Sequence, residues 1–352
     1  MTKKQAVNFG SLQIGLGNPS VIVAELSGNH NQSFEGALSL LRAAAEAGAD
    51  AVKLQTYTAD TITIKSDRGH FRIGEGLLGK EETLYSLYAR NSTPWEWQPK
   101  LKDAANDLGL ELFSSPFDST AADFLADMDI PAFKIASFEI VDLPLIRHVA
   151  TKGKPLIVST GMATLAEIED AISAARHAGC YEIVLLKCTS NYPALPEEMN
   201  LKTIPHLAET FMVPAGLSDH TRGIAVPVAA VAIGALMIEK HLTLNRAAGG
   251  AESGFALEPD EFRTMVQAVR TAEKALGEVH YGLTEAEQSS RTFRRSLFTV
   301  EDIKAGELMT MKNFRSIRPG HGLAPKNLEN ILGKQARVNI SRGTPLSWDL
   351  IK

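Results

Sequence analysis

Two histidines, His220 and His241, end two apolar runs that are consecutive along the chain, GLSDH (216–220) and LMIEKH (236–241). If those runs are neighbouring strands, the two imidazoles converge on one point. Neutral imidazoles there, with substrate and water oxygens completing the shell, suit a divalent ion: Mn²⁺ in the first place, with Mg²⁺ or Co²⁺ as substitutes. The alternative is that each histidine caps its strand through a backbone hydrogen bond. Lys53 and Lys134, with Ser115, Ser137, Ser159 and Ser218, make a set of point charges and hydroxyl donors suited to phosphate and carboxylate oxygens, and Ser190 stands at a further strand end. Taken one at a time, each serine is equally explained by local backbone bonding. Glu25 and Glu139 can each act as a general base or as a hydroxyl acceptor, and a salt bridge to Lys53 or Lys134 is the competing reading. Gln55 and Tyr192 stand at further strand ends. Trp95 and Trp97 are expected to pack at a helix start.

These residues share a position in the pattern: each closes, or closely follows, a short apolar run rich in β-formers. Eight such runs occur, VIVAEL (21–26), AVKLQ (51–55), LELFSS (110–115), AFKIAS (132–137), LIVST (156–160), IVLLKCT (183–189), PAGLSDH (214–220) and LMIEKHL (236–242). Most are continuous rather than alternating, as expected for parallel strands covered on both faces. Helical patterns separate them. Thr93-Pro94-Trp95-Glu96 and Thr164 with Glu167 both read as capped helix starts, and the second helix stops at Gly179. The expected fold class is α/β, a (β/α)8 TIM barrel. A doubly wound sheet is the alternative, disfavoured because no GxGxxG follows the first run. A barrel gathers its functional groups at the strands' C-terminal ends, where a ring of buried charges is better explained by an anionic ligand and a metal than by packing.

Residues 56–92 form a long connection containing a possible short helix at 81–90, and an insertion at that end of a strand suggests a lid. Three segments follow from the whole pattern: a barrel domain over 1–277, a linker over 278–294, and a small domain of strands and turns over 295–352. The last carries an internal echo, Ile303-x-x-Gly306-x-x-Met309 against Ile340-x-x-Gly343-x-x-Leu346, and is near the lower size limit for an independent core.

Composition sets the bounds. The chain has 352 residues, 36 Lys and Arg against 41 Asp and Glu, and a net charge of −5, which excludes a generic nucleic-acid or polyanion binder. With 44% apolar and 22% charged residues it is expected to be soluble and folded. The 16 uncharged residues 223–238, interrupted by Pro227, read as a buried helix and strand rather than a membrane span. Two cysteines, Cys180 and Cys188, and no export signal point to the cytoplasm.

The chain resembles the sialic acid synthase family, the phosphoenolpyruvate-dependent nonulosonic acid synthases. The matching segments are AELSGNHN (24–31), VKLQ (52–55), SSPFD (114–118), FKIASFE (133–139), STGM (159–162), KCTSNYP (187–193), GLSDHT (216–221) and EKH (239–241). The tail, with RRSLF (294–298), DIKAGE (302–307) and RPGHGLAP (318–325), resembles that family's antifreeze-like, or SAF, domain. AELSGNHN and residues 84–97 look like the branch that makes pseudaminic rather than neuraminic or legionaminic acids.

The resemblance implies condensation of phosphoenolpyruvate with an acetamido sugar, here 2,4-diacetamido-2,4,6-trideoxy-altropyranose, to a nine-carbon 2-keto acid and phosphate. It also implies phosphoenolpyruvate on Lys53, Ser115, Lys134, Ser137, Ser159, Ser190 and Ser218, a metal on His220 and His241, and Glu25, Gln55, Glu139 and Tyr192 facing the sugar or the attacking water. Gln32 stands where the family often has Gly, Ser115 where many members have Thr, and the sugar contact Glu252 where Asp is usual. Arg318 is expected to reach over the barrel mouth of a partner subunit in a domain-swapped homodimer. A lysine aldolase using Lys134, Lys187 or Lys240, and a non-catalytic carbohydrate binder, are the competing readings; trapping an imine with borohydride, or sugar-dependent release of phosphate, separates them.

Overall fold

The computed structural model describes residues 6–73, 82–250 and 252–352. The chain divides into two compact units, Met1–Gly277 and Glu278–Lys352. In the first, eight parallel strands close into a barrel: β1 (Val21–Glu25), β2 (Ala51–Thr56), β3 (Glu111–Pro116), β4 (Phe133–Ile135), β5 (Leu156–Ser159), β6 (Ile183–Cys188), β7 (Ala215–Asp219) and β8 (Met237–His241). They follow one another round the ring, and β8 returns to β1 with His241 opposite Glu25. Each lies within the apolar run expected for it or one residue beyond. The closed ring excludes the doubly wound alternative.

The runs are continuous because both faces are covered. Outward residues such as Ile22, Leu112, Leu185 and Ile238 join the layer beneath the helices, among them α1 (Phe34–Glu46), α2 (Gln98–Asp107), α3 (Ser119–Asp127), α4 (Leu143–Ala150), α5 (Leu165–His177), α6 (Thr203–Phe211), α7 (Ala225–Ala232) and α8 (Pro259–Leu276). The uncharged stretch before Glu239 is α7 followed by β8, with Pro227 in the first helical turn. No described helix is long and apolar enough to cross a membrane. Arg270 of α8 closes the ring from outside: it pairs with Asp50 at 2.7 Å and donates to the Ser20 carbonyl at 2.8 Å, while Asp50 accepts the Ile22 N–H.

The inward face has two layers. Below, Val21, Val23, Ala51, Phe113, Ala132, Ile157, Val184, Leu186 and Met237 form an apolar floor with Val7, Phe9 and Ile14. The last three belong to a short antiparallel hairpin, Val7–Phe9 with Leu12–Ile14, which sequence patterning did not anticipate. Its Phe9 ring meets Phe113 edge-on at 5.1 Å. Above the floor the inward positions turn polar. At the β7–β8 contact only glycine fits position 216, where a Cβ would stand 2.3 Å from the Met237 carbonyl oxygen.

Thr164 and Glu167 form the expected capping box on α5. The Thr93 box does not form. Residues Trp95–Trp97 make a 3-10 turn and α2 starts at Gln98, because Thr93 is drawn inward, where its Oγ1 bonds the His30 ring at 3.1 Å. A tertiary hydrogen bond has displaced a local cap. Trp95 stacks on Phe124 and Trp97 meets Phe34 edge-on, so both tryptophans pack. Within the long connection lie two helices, Ala59–Ile62 and Leu84–Asn91, the second capped by Thr83. The second is the short helix expected at 81–90; Glu81 lies outside the described residues.

The second unit pairs Ser296–Thr299 with Phe314–Ile317 over a core that includes Leu297, Met309, Phe314, Ile331 and Leu346. Its internal echo is structural: Ile303 and Ile340 exchange both backbone hydrogen bonds at 2.8 Å, and Gly306 and Gly343 share a left-handed backbone at φ 84° and 86°.

Candidate active site

The polar layer opens into a cavity of about 440 Å³ at the strands' C-terminal ends. Of the residues expected there, Glu25, Lys53, Gln55, Lys134, Ser137, Glu139, Ser159, Tyr192, Ser218, His220, His241 and Glu252 line it. Ser190 stands behind Ser137, its Oγ 2.7 Å from the Ser137 Oγ. Ser115 is buried in the wall, its Oγ without a hydrogen-bond partner among the described residues. Arg318 belongs to the second unit, directly after the strand Phe314–Ile317.

Register explains the convergence. Along β8, Met237, Glu239 and His241 alternate inward, so Met237 joins the apolar floor and the two others enter the cavity. Lys240 points the other way and is sealed in the wall against Asp219 and the Thr221 carbonyl. Lys187 likewise spends its ammonium on the Cys188 carbonyl and Thr189. Of the three lysines an imine mechanism could use, only Lys134 lines the cavity.

Lys53 is the centre of the charge arrangement. Its Nζ lies 3.1 Å from Glu25 and 3.0 Å from Glu239, and Ser218 donates to the same Glu239 oxygen at 2.8 Å. Burial opposes the charge on Lys53, but the pull of Glu239 and Glu25 overrides it and holds the ammonium above its ordinary range. Burial opposes the charge on Glu239 too, and there Lys53 and Lys134 win, keeping the carboxylate ionised with its pKa brought down to about 2. Glu25 is left on the losing side: burial, then the neighbouring Glu239 charge, raise it despite Lys53 and a 3.0 Å bond from Gln55. The salt-bridge reading of Glu25 therefore holds, and Glu239 is a partner not anticipated among the site residues. The signal for it was the inward alternation of Glu-Lys-His before position 242.

Lys134 lies deeper, donating to Ser159 at 2.7 Å and to the Ile135 carbonyl at 3.0 Å, and burial lowers it to about 8. Glu139 has no such partner: burial pushes it up to about 7, and its Oε2 accepts no hydrogen bond among the described residues. Glu252, crowded by protein and by the Glu25 charge, is pushed up to about 8. It accepts the Ser27 hydroxyl and stands 3.5 Å from His241 Nδ1.

The histidine rings are 5.4 Å apart between centroids. His220 Nδ1 lies 2.9 Å from the Thr189 carbonyl, so Nδ1 carries the proton and Nε2 is left as a lone pair. The strand-capping alternative is thus satisfied by one nitrogen while the other remains free to ligate. Burial holds His220 at about 4 and His241 well below its ordinary value, which keeps both neutral. His241 Nδ1 is buried with no hydrogen-bond partner among the described residues. Two neutral imidazoles, one with an unsatisfied nitrogen, fit a divalent ion. No set of three or more His, Cys, Asp or Glu side chains among the described residues forms a complete metal site.

The same cavity has an aromatic wall that sequence patterning did not assemble. Tyr57 meets Tyr88 at 5.6 Å and Phe117 at 5.2 Å, and Ile62 adds apolar surface. These residues come from three separate segments, so no local signal joins them. Gly161 of STGM has its own steric reason, since a Cβ there would stand 2.2 Å from Ser190 Oγ and 2.6 Å from Cys188 Sγ.

Residues 40–281 match the NeuB family and residues 294–352 the SAF domain. Over 335 residues the chain is 45% identical to the pseudaminic acid synthase of Helicobacter pylori, covering 95% of this chain and 98% of that protein. It is 37% identical over 337 residues to the N,N'-diacetyllegionaminic acid synthase of Legionella pneumophila, 94% of each. The crystal structure of the spore coat polysaccharide biosynthesis protein of Bacillus subtilis aligns over 99% of both chains with 35% identity and a TM-score of 0.66.

The buried carboxyl of Glu139 makes a direct prediction. Followed by carbon NMR in the ligand-free protein, it should titrate near pH 7; a midpoint in the ordinary carboxylate range would mean that the group is solvated.

Proposed function

The chain belongs to the NeuB family, and on that premise we propose that its cavity condenses phosphoenolpyruvate with open-chain 2,4-diacetamido-2,4,6-trideoxy-altropyranose, releasing phosphate and pseudaminic acid. The observation that carries this reading is the placement of two buried ammonium groups, Lys53 and Lys134, in one cavity with two neutral imidazoles. The first pair suits a small dianion or trianion; the second leaves a place for an aldehyde oxygen beside it.

Lys53, Lys134 and the hydroxyls of Ser115, Ser137, Ser159, Ser190 and Ser218 hold the phosphate and carboxylate and fix the enol face toward the sugar. C3 of the enol bonds to the aldehyde carbon, whose oxygen gains a proton and becomes a hydroxyl. The cationic C2 is then captured by water. Glu139, with its raised pKa and unpartnered oxygen, takes the proton that this water loses. Collapse at C2 breaks the C–O bond and expels phosphate. Glu25, Gln55, Tyr192 and Glu252 face the sugar, and the raised carboxyls of Glu25 and Glu252 serve as hydroxyl and amide partners. His220 and His241 would hold a divalent ion, Mn²⁺ on the ligand chemistry with Mg²⁺ or Co²⁺ as substitutes, and it would supply Lewis-acid polarisation of the aldehyde.

The branch within the family rests on the greater identity to the pseudaminic relative and on the aromatic wall, which offers apolar contact to a 6-methyl group and acetamido methyls. Legionaminic and neuraminic precursors are the alternatives. Phosphate release across a panel of altrose-type, legionaminic-type and N-acetylmannosamine substrates decides between them. The altrose-type sugar should be turned over fastest, by about 10-fold or more, the scale on which an apolar pocket separates close analogues; equal turnover of N-acetylmannosamine would overturn the branch assignment. His220→Ala and His241→Ala should abolish release and weaken Mn²⁺ binding in calorimetry while melting normally. Unchanged Mn²⁺ affinity in both would remove the metal assignment.

The same reading places the enzyme in the cytoplasm, as a homodimer with exchanged C-terminal domains in which Arg318 of one subunit closes the other's cavity. The support is physical: a tail domain of this size is marginal alone, and a guanidinium offers fixed donors to sugar carbonyl and hydroxyl oxygens. Arg318→Ala and His220→Ala subunits, each inactive, should recover about a quarter of wild-type activity when mixed and exchanged, from random pairing. No recovery despite demonstrated exchange would show that Arg318 does not act in trans.

A further inference from the structure

The loop that follows β1, residues 27–32, is strained in a way the chemistry above does not explain. Ser27, Asn31 and Gln32 all have positive φ, at 46°, 49° and 56°, a region that side chains disfavour. Glycine at 32 would relieve that position. The residue there instead donates from its side-chain Nε2 to two carbonyls, Arg90 at 2.9 Å and Ser92 at 2.6 Å. These lie at the C-terminal end of the helix Leu84–Asn91, where carbonyls have no partner within the helix.

The same loop grips that end twice more. His30 Nδ1 accepts the Gln32 N–H at 3.1 Å, which puts the ring proton on Nε2, directed at Thr93 Oγ1. Gly28 lies so close to Asn91 that a Cβ would meet its atoms at 3.1 Å. At its other end the loop enters the cavity, where Ser27 donates to Glu252 and accepts from Gln55 at 3.2 Å.

The helix held in this way carries Tyr88 to the aromatic wall. It has no fully buried side chain of its own. Along its length it is held by the Tyr85 hydroxyl, which donates to Asp60 at 3.3 Å, and by the Tyr57–Tyr88 contact; at its ends Thr83 caps the first turn and the 27–32 loop holds the last. We propose that Gln32, backed by His30, is a positioning residue that clamps the Leu84–Asn91 helix as the wall against which the sugar binds. The strained backbone is retained because only a side chain with N–H donors at that point reaches the helix end. The clamp is an inference about structure; its consequence for the sugar rests on the proposed function.

The test uses three full-length variants. Gln32→Gly relieves the backbone and removes the clamp; Gln32→Glu keeps the length, loses the donors and faces the negative end of the helix dipole; Gln32→Lys restores N–H donors. Hydrogen exchange of the 84–91 amides and the KM for each substrate are measured. Gly and Glu should speed exchange through that helix and raise the sugar KM by about three- to tenfold, the scale of one or two exposed neutral hydrogen bonds. The KM for phosphoenolpyruvate and kcat should stay within about twofold. The melting temperature of Gln32→Gly should be unchanged or higher, and Lys should return exchange and KM to wild type.

Unchanged exchange, an equal rise in both KM values, or failure of Lys to rescue overturns the clamp. If the wild-type enzyme does not turn over the altrose-type sugar, the proposed function fails, and the exchange comparison alone then decides the clamp.

Discussion

An ammonium ion cannot be buried without counter-charge, and Lys53 is buried. Everything at the barrel mouth is arranged around that demand. Beneath it the apolar floor, sealed by the Val7–Phe9 hairpin strand, offers no hydrogen-bond acceptor, so compensation must come sideways from other strands. Glu25 supplies it from β1, in register with Lys53 on β2, and Glu239 supplies it from β8, which ring closure sets against the far side of β1. Removing one partner of such a buried pair costs about 3 to 5 kcal/mol. The ring's closure and the charge cluster are therefore coupled, and the cluster is preorganised before any ligand arrives.

Preorganisation has a chemical consequence. One cation and one anion are settled permanently, Lys53 and Glu239, while Lys134, Glu25, Glu139 and Glu252 are pushed by burial toward their neutral forms. A trianionic enol phosphate entering this cavity meets fixed positive charge at Lys53 and carboxyls whose hold on a proton burial has strengthened. Groups whose pKa values have been driven apart in one site can divide acid and base roles between them. The aromatic wall of Tyr57, Tyr88 and Phe117 completes the cavity, and the helix that carries Tyr88 has no fully buried side chain of its own.

The strands were legible because two-sided burial produces continuous apolar runs, and the polar residues ending each run marked the mouth. Parity within a strand was legible in principle, yet Glu239 and Lys240 were separated only once the register was known: one faces the cavity and the other is sealed in the wall with Asp219. The Val7–Ile14 hairpin was missed because two three-residue strands leave almost no periodic signal. Thr93 looked like a cap and became a tertiary anchor, since His30 was a better partner than the helix it precedes. The aromatic wall of Tyr57, Tyr88 and Phe117 has no sequence signature at all, because its members meet only through the folded insertion.

The fate of the bridging oxygen of phosphoenolpyruvate in this cavity separates C–O from P–O cleavage. That oxygen should be labelled with ¹⁸O and the enzyme supplied with Mn²⁺ and the acetamido sugar, followed by mass analysis of the phosphate and the keto acid. The label should leave with phosphate, in strict proportion to sugar consumed, because the C–O bond is the one broken. Label retained in the keto acid, or phosphate released without sugar, would contradict the proposed condensation.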